Sequence, residues 1–110
     1  MRSRMEILKD LVYLQGNLIA LKKELSQYSW DIEEPIFSID KADFLSILNR
    51  AINNEVSFNE LENWANEIEC REDLSFEDEK IREIIFELAN PELNVKITKN
   101  RLLEIANELA

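Results

Sequence analysis

The feature that most constrains the fold is a run of apolar residues spaced alternately four and three apart along residues 5–28. This spacing keeps the residues on one side of an α-helix and predicts a single long first helix. Such a seam suits either a coiled-coil dimer or the central helix of a bundle. The bundle is favoured because downstream helices also need an apolar surface to cover. Gly16 falls inside this predicted helix, where it would cost about 1 kcal/mol relative to Ala. The seam consists of Ile7, Leu11, Leu14, Leu18, Leu21, Leu25 and Tyr28, widened by Leu8 and Ile19.

Four further helices are predicted, which gives an all-α, five-helix bundle with a long first helix and a single domain over residues 1–110. One Gly and two Pro leave few turn-forming residues for a multi-stranded sheet. The second helix covers about residues 41–53 after Asp40 as N-cap, and a capping box of Ser57 and Glu60 opens the third. The fourth restarts at Ser75 after a break, and Thr98 opens the last. The predicted inward residues are Phe44, Leu45, Leu48, Ala51 and Ile52, then Phe58, Leu61, Trp64, Ala65 and Ile68, then Ile81, Ile84, Ile85 and Leu88, and finally Leu102, Leu103, Ala106 and Leu109.

Two very short extended pieces are expected at residues 36–39 and 94–97. Each precedes a polar residue that can cap a helix. Pairing between the two pieces stays open at this point.

The acidic charge is concentrated in the middle of the chain. The net charge is −10; residues 31–60 carry −5 and residues 61–90 carry −7, between ends that are close to neutral. The stretch 60–79 holds nine carboxylates against one cation, Arg71. A surface of this kind attracts basic proteins and repels nucleic acid and anionic lipid. The sequence therefore predicts a binding protein with a basic protein partner, and no nucleic-acid or membrane partner.

The predicted binding surface lies along the third helix and the segment that follows it. Trp64 is assigned to the core because it is spaced three and four from apolar neighbours. Arg71 is expected to pair with Glu67 or Asp73, and the carboxylates of the surface are expected to be exposed in the free protein. The predicted partner-binding residues are Glu62, Asn63, Asn66, Glu67, Glu69, Arg71, Glu72 and Asp73.

The residue inventory offers little for catalysis. The chain has no His, its one glycine cannot form a phosphate-binding loop, and its single Cys70 has no His partner. No catalytic residue, metal site or cofactor is therefore predicted, and the protein is expected not to be an enzyme. One alternative stays open, a Mg²⁺-dependent helical nucleotide phosphohydrolase built on Glu-x-x-Glu pairs. Pairs with suitable helical spacing are Glu69 and Glu72, Glu79 and Glu83, and Glu83 and Glu87, although such pairs arise by chance among 23 acids.

The single cysteine and the lack of a long apolar run after the N-terminus predict a cytoplasmic protein without a signal peptide or membrane span. A further alternative is a scaffold protein that forms a homodimer through a coiled coil of the first helix.

Two segments carry a resemblance. W-A-N-x-I-E-x-R-E-D at residues 64–73, with Cys70 before Arg71, and F-E-L-A-N-P at residues 86–91 resemble a group of small bacterial proteins without a described enzyme activity. In size, acidity and helical character the chain is also similar to immunity proteins of bacterial toxin systems, including contact-dependent growth inhibition and nuclease bacteriocins. It lacks the paired tyrosines before a proline by which nuclease-colicin immunity proteins bind, so no binding residues carry over from that family.

The resemblance implies a cytoplasmic protein that sequesters a cognate toxin domain. A nuclease is the favoured toxin, because enzymes that cut nucleic acid need basic clefts and an acidic helical face complements them.

Overall fold

The computed structural model describes residues 3–28, 35–71, 73–91 and 96–109, and it shows six helices and two short strands within them. The helical character is as predicted, but the number of helices is six and not five. None of the helices in these ranges is both long and apolar enough to cross a membrane. In chain order the elements are α1 (Arg4–Tyr13), α2 (Leu18–Leu25), β1 (Phe37–Ile39), α3 (Lys41–Ile52), α4 (Phe58–Cys70), β2 (Leu74–Phe76), α5 (Glu79–Ala89) and α6 (Lys99–Leu109).

The predicted long first helix is wrong, because a turn divides it into α1 and α2. Leu14 ends α1 in the left-handed conformation (φ 50°, ψ 51°), and Gly16 lies in the turn with φ 97° rather than inside a helix. The side chain of Asn17 then caps α2 by accepting from the amide of Ala20 (3.1 Å). A guanidinium N–H of Arg50 on α3 donates to the carbonyls of Tyr13 (2.6 Å) and Leu14 (3.1 Å). The Arg50 side chain thus satisfies carbonyls that the end of α1 leaves without a helical partner.

The apolar seam is nevertheless used, as core rather than as a coiled coil. Leu11, Leu14 and Leu21 are buried, whereas Ile19 is 78% exposed and does not widen the seam. A coiled coil needs one continuous helix along the seam. The break between α1 and α2 means that no single helix of the described residues carries the whole seam.

The two strands form a parallel pair that the sequence predicts only in part. β1 confirms the extended piece at residues 36–39, but it pairs with β2, in the register Phe37 to Leu74 and Ile39 to Phe76. The other expected extended piece falls partly outside the described ranges, which lack residues 94 and 95, so its pairing is not tested; Lys96 and Ile97 are not in a strand. The break before the fourth predicted helix is confirmed.

The restart of the fourth predicted helix at Ser75 is wrong. Ser75 lies within β2, and the N-cap of α5 is Asp78, whose carboxylate accepts from the amide of Lys80 (2.9 Å). A three-residue strand is too short to show the alternation that would have distinguished it from a helix start.

Trp64 lies at the centre of the core, as predicted. Its side chain is fully buried, its indole N–H donates to the carbonyl of Leu11 (2.8 Å), and its ring stacks on Phe44 at a centroid distance of 6.2 Å. The predicted caps of α3 and α4 are confirmed, since both helices begin with a reciprocal capping box. The two contacts of Trp64 hold the apolar side of α4 against α1 and α3, so the polar side of α4 faces outward.

The predicted core faces are largely confirmed, with several exceptions. Phe58 and Leu103 are exposed rather than buried, while Ile47 and Ile105 are buried although they were not among the predicted residues. Leu45, Ile52 and Ala106 are only half-buried.

Candidate binding surface

The outward side of α4 carries uncharged polar side chains and acidic side chains, and no basic residue. Its buried side consists of Leu61, Trp64, Ala65 and Ile68. The opposite side carries two glutamates and three asparagines, because the 3.6-residue period of the helix brings them to one side. We call this set the α4 polar face: Asn59, Glu62, Asn63, Asn66 and Glu69. All are exposed except Glu62, which is half-buried.

Exposed apolar side chains flank this face on both sides and at its start. Ile19, in the first turn of α2, is 78% exposed, Phe86 on α5 is 46% exposed, and Phe58 at the start of α4 is 36% exposed. Most large apolar residues of the described chain are buried, so these three form a noticeable apolar margin. Surfaces that bind proteins commonly combine apolar and polar side chains in this way.

Two cavities mark where α4 meets its neighbours on either side. On one side, a cavity of about 440 Å³ lies between the α1–α2 turn and α4; we call it the α2–α4 cavity. It is lined by Leu14, Gly16, Asn17, Leu18, Ile19, Glu60 and Asn63. On the other side, a cavity of about 270 Å³ brings Glu69 of α4 next to Phe76, Arg82 and Phe86. The α4 polar face is therefore a ridge between two depressions.

A third cavity, of about 420 Å³, lies where α4 begins and α5 ends. It is lined by Phe58, Asn59, Glu62, Pro91, Lys96 and Ile97. Phe58 and Glu62 thus contribute both to the face and to this depression.

The last predicted binding residues form a buried ion network instead of a surface. Arg71 and Asp73 are 7% and 1% exposed, and the Arg71 guanidinium makes two hydrogen bonds of 2.8 Å to the Asp73 carboxylate. Arg4 of α1 adds a bond of 3.0 Å to the same carboxylate. A further Arg71 N–H donates to Glu67 (3.2 Å), whose second oxygen lies 3.6 Å from the Lys22 ammonium of α2. The network joins α1, α2, α4 and the residue before β2.

The charges in this network oppose the effect of burial. Burial would raise the pKa of Asp73, but its hydrogen bonds and charge contacts with Arg71, and then with Arg4, outweigh this and lower it. Burial would lower the pKa of Arg71, but Asp73 and Glu67 outweigh this and raise it. Both groups are therefore held in their charged forms.

The predicted site residues accordingly fall into two groups. Glu62, Asn63, Asn66 and Glu69 belong to the α4 polar face. The expectation that Asp73 is exposed is wrong; Arg71 is also buried, although it lines the cavity beside Glu69. The pairing of Arg71 with both Glu67 and Asp73 is confirmed. Glu67 is half-buried and occupied by its two ion pairs, and Glu72 lies outside the described residues.

Sequence reasoning missed the apolar margin. Ile19 and Phe58 were assigned to buried faces because they fall on helical spacings of apolar residues. The Gly16–Asn17 pair was the available signal for Ile19, since a glycine followed by an N-cap residue is typical of a helix boundary.

The described residues show no group of three or more His, Cys, Asp or Glu side chains that could hold a metal ion. Of the candidate glutamate pairs, Glu83 and Glu87 has its second carboxylate occupied by Arg101, which makes two hydrogen bonds of 2.7 Å to Glu87. Cys70 is exposed at the end of α4.

Comparisons with protein-family models, with curated proteins and with solved structures found no significant match to this chain. The surface chemistry of α4 is therefore the basis for a functional proposal.

Proposed function

We propose that this protein binds a basic protein partner through the α4 polar face and neutralises it, and that the partner is a toxin domain of the nuclease class. The observation that carries the proposal is the combination on one ridge of carboxylates, carboxamides and exposed apolar side chains. Ile19 and Phe86 provide apolar contact area on the flanks, while Glu62 and Glu69 provide the acidic charge.

The charge of the whole molecule supports this role. A net charge of −10 on 110 residues, concentrated in residues 31–90, gives an acidic field that attracts a basic partner from a distance. Such steering increases association rates by roughly 10-fold to 10³-fold at low ionic strength. A nuclease domain carries the complementary charge because its substrate is a polyanion.

The apolar margin supports a protein as the partner rather than a small ion. Residues with the largest effects on affinity usually lie in a desolvated centre, while surrounding charges mainly affect the association rate. Phe86 and Ile19 can be desolvated by a partner, since 46% and 78% of their surfaces are exposed in the free protein. Exposed carboxylates alone would attract a basic protein but would give a short-lived complex.

The first test is whether the reading frame immediately upstream encodes a toxin nuclease domain; the second is binding of such a domain, measured by stopped-flow association and by surface plasmon resonance. The double variant Glu62→Lys/Glu69→Lys should slow association at least ~10-fold at low salt, because two attractions become repulsions. The difference should narrow at 1 M salt, where the Debye length is about 3 Å.

The matched control is Glu77→Lys/Glu83→Lys, which makes the same change of charge at two exposed glutamates outside the α4 polar face. It should slow association much less. Equal effects of the two double variants would show that only total charge matters. If neither double variant changes the affinity or the association rate, the proposal is refuted.

A further inference from the structure

The α2–α4 cavity combines an apolar wall with a carboxylate and a carboxamide. Leu14, Leu18 and Ile19 contribute the wall, and Glu60 and Asn63 contribute the polar groups from α4. Glu60 is exposed, and one of its oxygens accepts from the amide of Ser57 (3.1 Å) in the capping box. None of the hydrogen bonds or ion pairs of the described residues involves its other oxygen. The described residues that line the cavity include no Lys or Arg.

This combination matches a side chain that is apolar along its stem and cationic at its end. Lys and Arg both have this character and place their methylene groups along apolar surfaces. Arg fits better, because its planar guanidinium has five N–H donors that can reach a carboxylate and a carboxamide oxygen at once. Arg is also enriched among the residues that contribute most to protein interfaces. A volume of about 440 Å³ is sufficient for one such side chain.

We infer that the α2–α4 cavity is a receptor for one arginine side chain of the basic partner, with Glu60 as its counter-ion. The inference rests on the proposed function, since it specifies which group of that partner this surface takes up. It places recognition on the α2 side of the ridge, next to Ile19, where the apolar margin is most exposed.

The cavity is tested with N-acetyl-arginine amide as the probe, titrated into the ¹⁵N-labelled full-length chain and followed by NMR. The amide signals of Gly16, Asn17, Ile19 and Asn63 should shift and saturate, with a dissociation constant of about 1 mM, the weak end of measurable affinity. N-acetyl-citrulline amide has nearly the same shape without the charge and should bind at least ~3-fold more weakly, as expected for loss of one exposed charge pair.

The variant Glu60→Gln isolates the carboxylate, because Gln at this position can also complete a capping box and so preserves the start of α4. This variant should weaken binding of the arginine amide at least ~3-fold and leave binding of the citrulline amide unchanged. Glu83→Gln removes the same charge from an exposed position on α5 and should change neither. Ile19→Ala should weaken both probes, since it shortens the apolar wall.

Three results would overturn the inference: shifts spread over many acidic residues without saturation, equal effects of Glu60→Gln and Glu83→Gln, or binding of N-acetyl-lysine amide as tight as that of the arginine amide. These results would leave the proposed function standing if the toxin still responds to Glu62→Lys/Glu69→Lys. Conversely, saturable binding of the arginine amide without any binding of the toxin domain would support the cavity as an arginine site and refute the toxin as the partner.

Discussion

Asp73 is a charged side chain held within the core, with guanidinium groups from two distant parts of the chain around it. Its carboxylate is bonded to Arg71 two residues earlier and to Arg4, 69 residues away. Charges buried in this way stabilise a fold only as a complete set, because the loss of one partner leaves another charge in a poorly solvated place. The set therefore maintains the junction between α4 and β2, next to the α4 polar face.

We expect Asp73→Asn to reduce the free energy of unfolding by about 3 kcal/mol, because Arg71 would remain buried with Glu67 alone in place of two carboxylates, and Arg4 would lose its bond to Asp73. Urea denaturation at pH 7 measures the change. Glu69→Gln, an exposed carboxylate on α4, is the control and should stay within about 0.5 kcal/mol. A loss below 1 kcal/mol for Asp73→Asn would mean that the carboxylate is not buried as described.

Tyr13 provides a residue-scale prediction at alkaline pH. Its hydroxyl donates to Asp43, and this hydrogen bond, with smaller effects of burial and of charge from Asp43 and Asp40, raises the pKa of Tyr13 from 10.0 to about 12. The folded state thus favours the neutral phenol. The hydrogen bond's contribution to stability is complete below pH 10, the ordinary pKa of a tyrosine in the unfolded chain. It is lost as the pH rises through the folded-state pKa of about 12.

The comparison of wild type with Tyr13→Phe tests this sign. The difference in the free energy of unfolding between the two proteins should be constant up to about pH 10 and should shrink between pH 10 and pH 12. Urea denaturation at a series of pH values gives the difference directly. A difference that stays constant to pH 12 would show that Tyr13 does not donate to Asp43.

At the scale of elements, the turn between α1 and α2 determines where Ile19 and the α2–α4 cavity lie. Leu14 and Gly16 both have positive φ angles, which cost an L-residue about 1–2 kcal/mol but cost glycine little. A Cβ added at Gly16 would meet no atom within 4 Å, so its substitution tests the backbone conformation alone.

Gly16→Ala should therefore destabilise the protein by about 1–2 kcal/mol in thermal or urea denaturation. Gln15→Ala, at an exposed neighbouring position, is the control and should have little effect. Inside a continuous helix the same substitution would instead stabilise by about 1 kcal/mol and increase the helical circular dichroism signal. That result would favour one long helix and contradict the turn.

This turn also shows where sequence reasoning stops. Leu14 and Leu18 are four apart, so the helical spacing stays in phase across the break and conceals it. The helices with strong caps, α3 and α4, were predicted at their N-termini because the capping side chains are local in sequence. The position of β2 and its pairing with β1 depend on contacts across 37 residues, which no local pattern contains.

The binding surface was predictable to a similar extent. The exposed positions of Asn63, Asn66 and Glu69 follow from the periodicity of α4 alone. The burial of Asp73 depends on Arg71 and also on Arg4, which is 69 residues away in the chain. A carboxylate in an acidic stretch looks exposed until the cation that covers it is known.

For the molecule as a whole, the uneven charge affects stability as well as binding. A net charge of −10 repels itself, and the excess is concentrated in residues 31–90. Salt screens interactions between exposed charges most strongly and affects buried pairs such as Arg71 and Asp73 less.

We therefore expect the midpoint of thermal unfolding to rise when NaCl increases from 10 mM to 0.5 M. The double variant Glu62→Lys/Glu69→Lys reduces the repulsion and should show a smaller increase. A midpoint that falls with salt would indicate that attractive ion pairs outweigh repulsion in this fold.

The parallel pairing of β1 with β2 also joins two halves of the chain, each of which needs the other to pair its strand. The exposed turn between α3 and α4, where Asn54 has φ 65°, separates a first half with β1 and Arg4 from a second half with β2 and Asp73. A cut in this turn would leave each half with an unpaired strand, and the second half with a carboxylate lacking one of its two guanidinium partners. We expect the two pieces to be complementary fragments, and their reassociation would report that two molecules fused to them had come together.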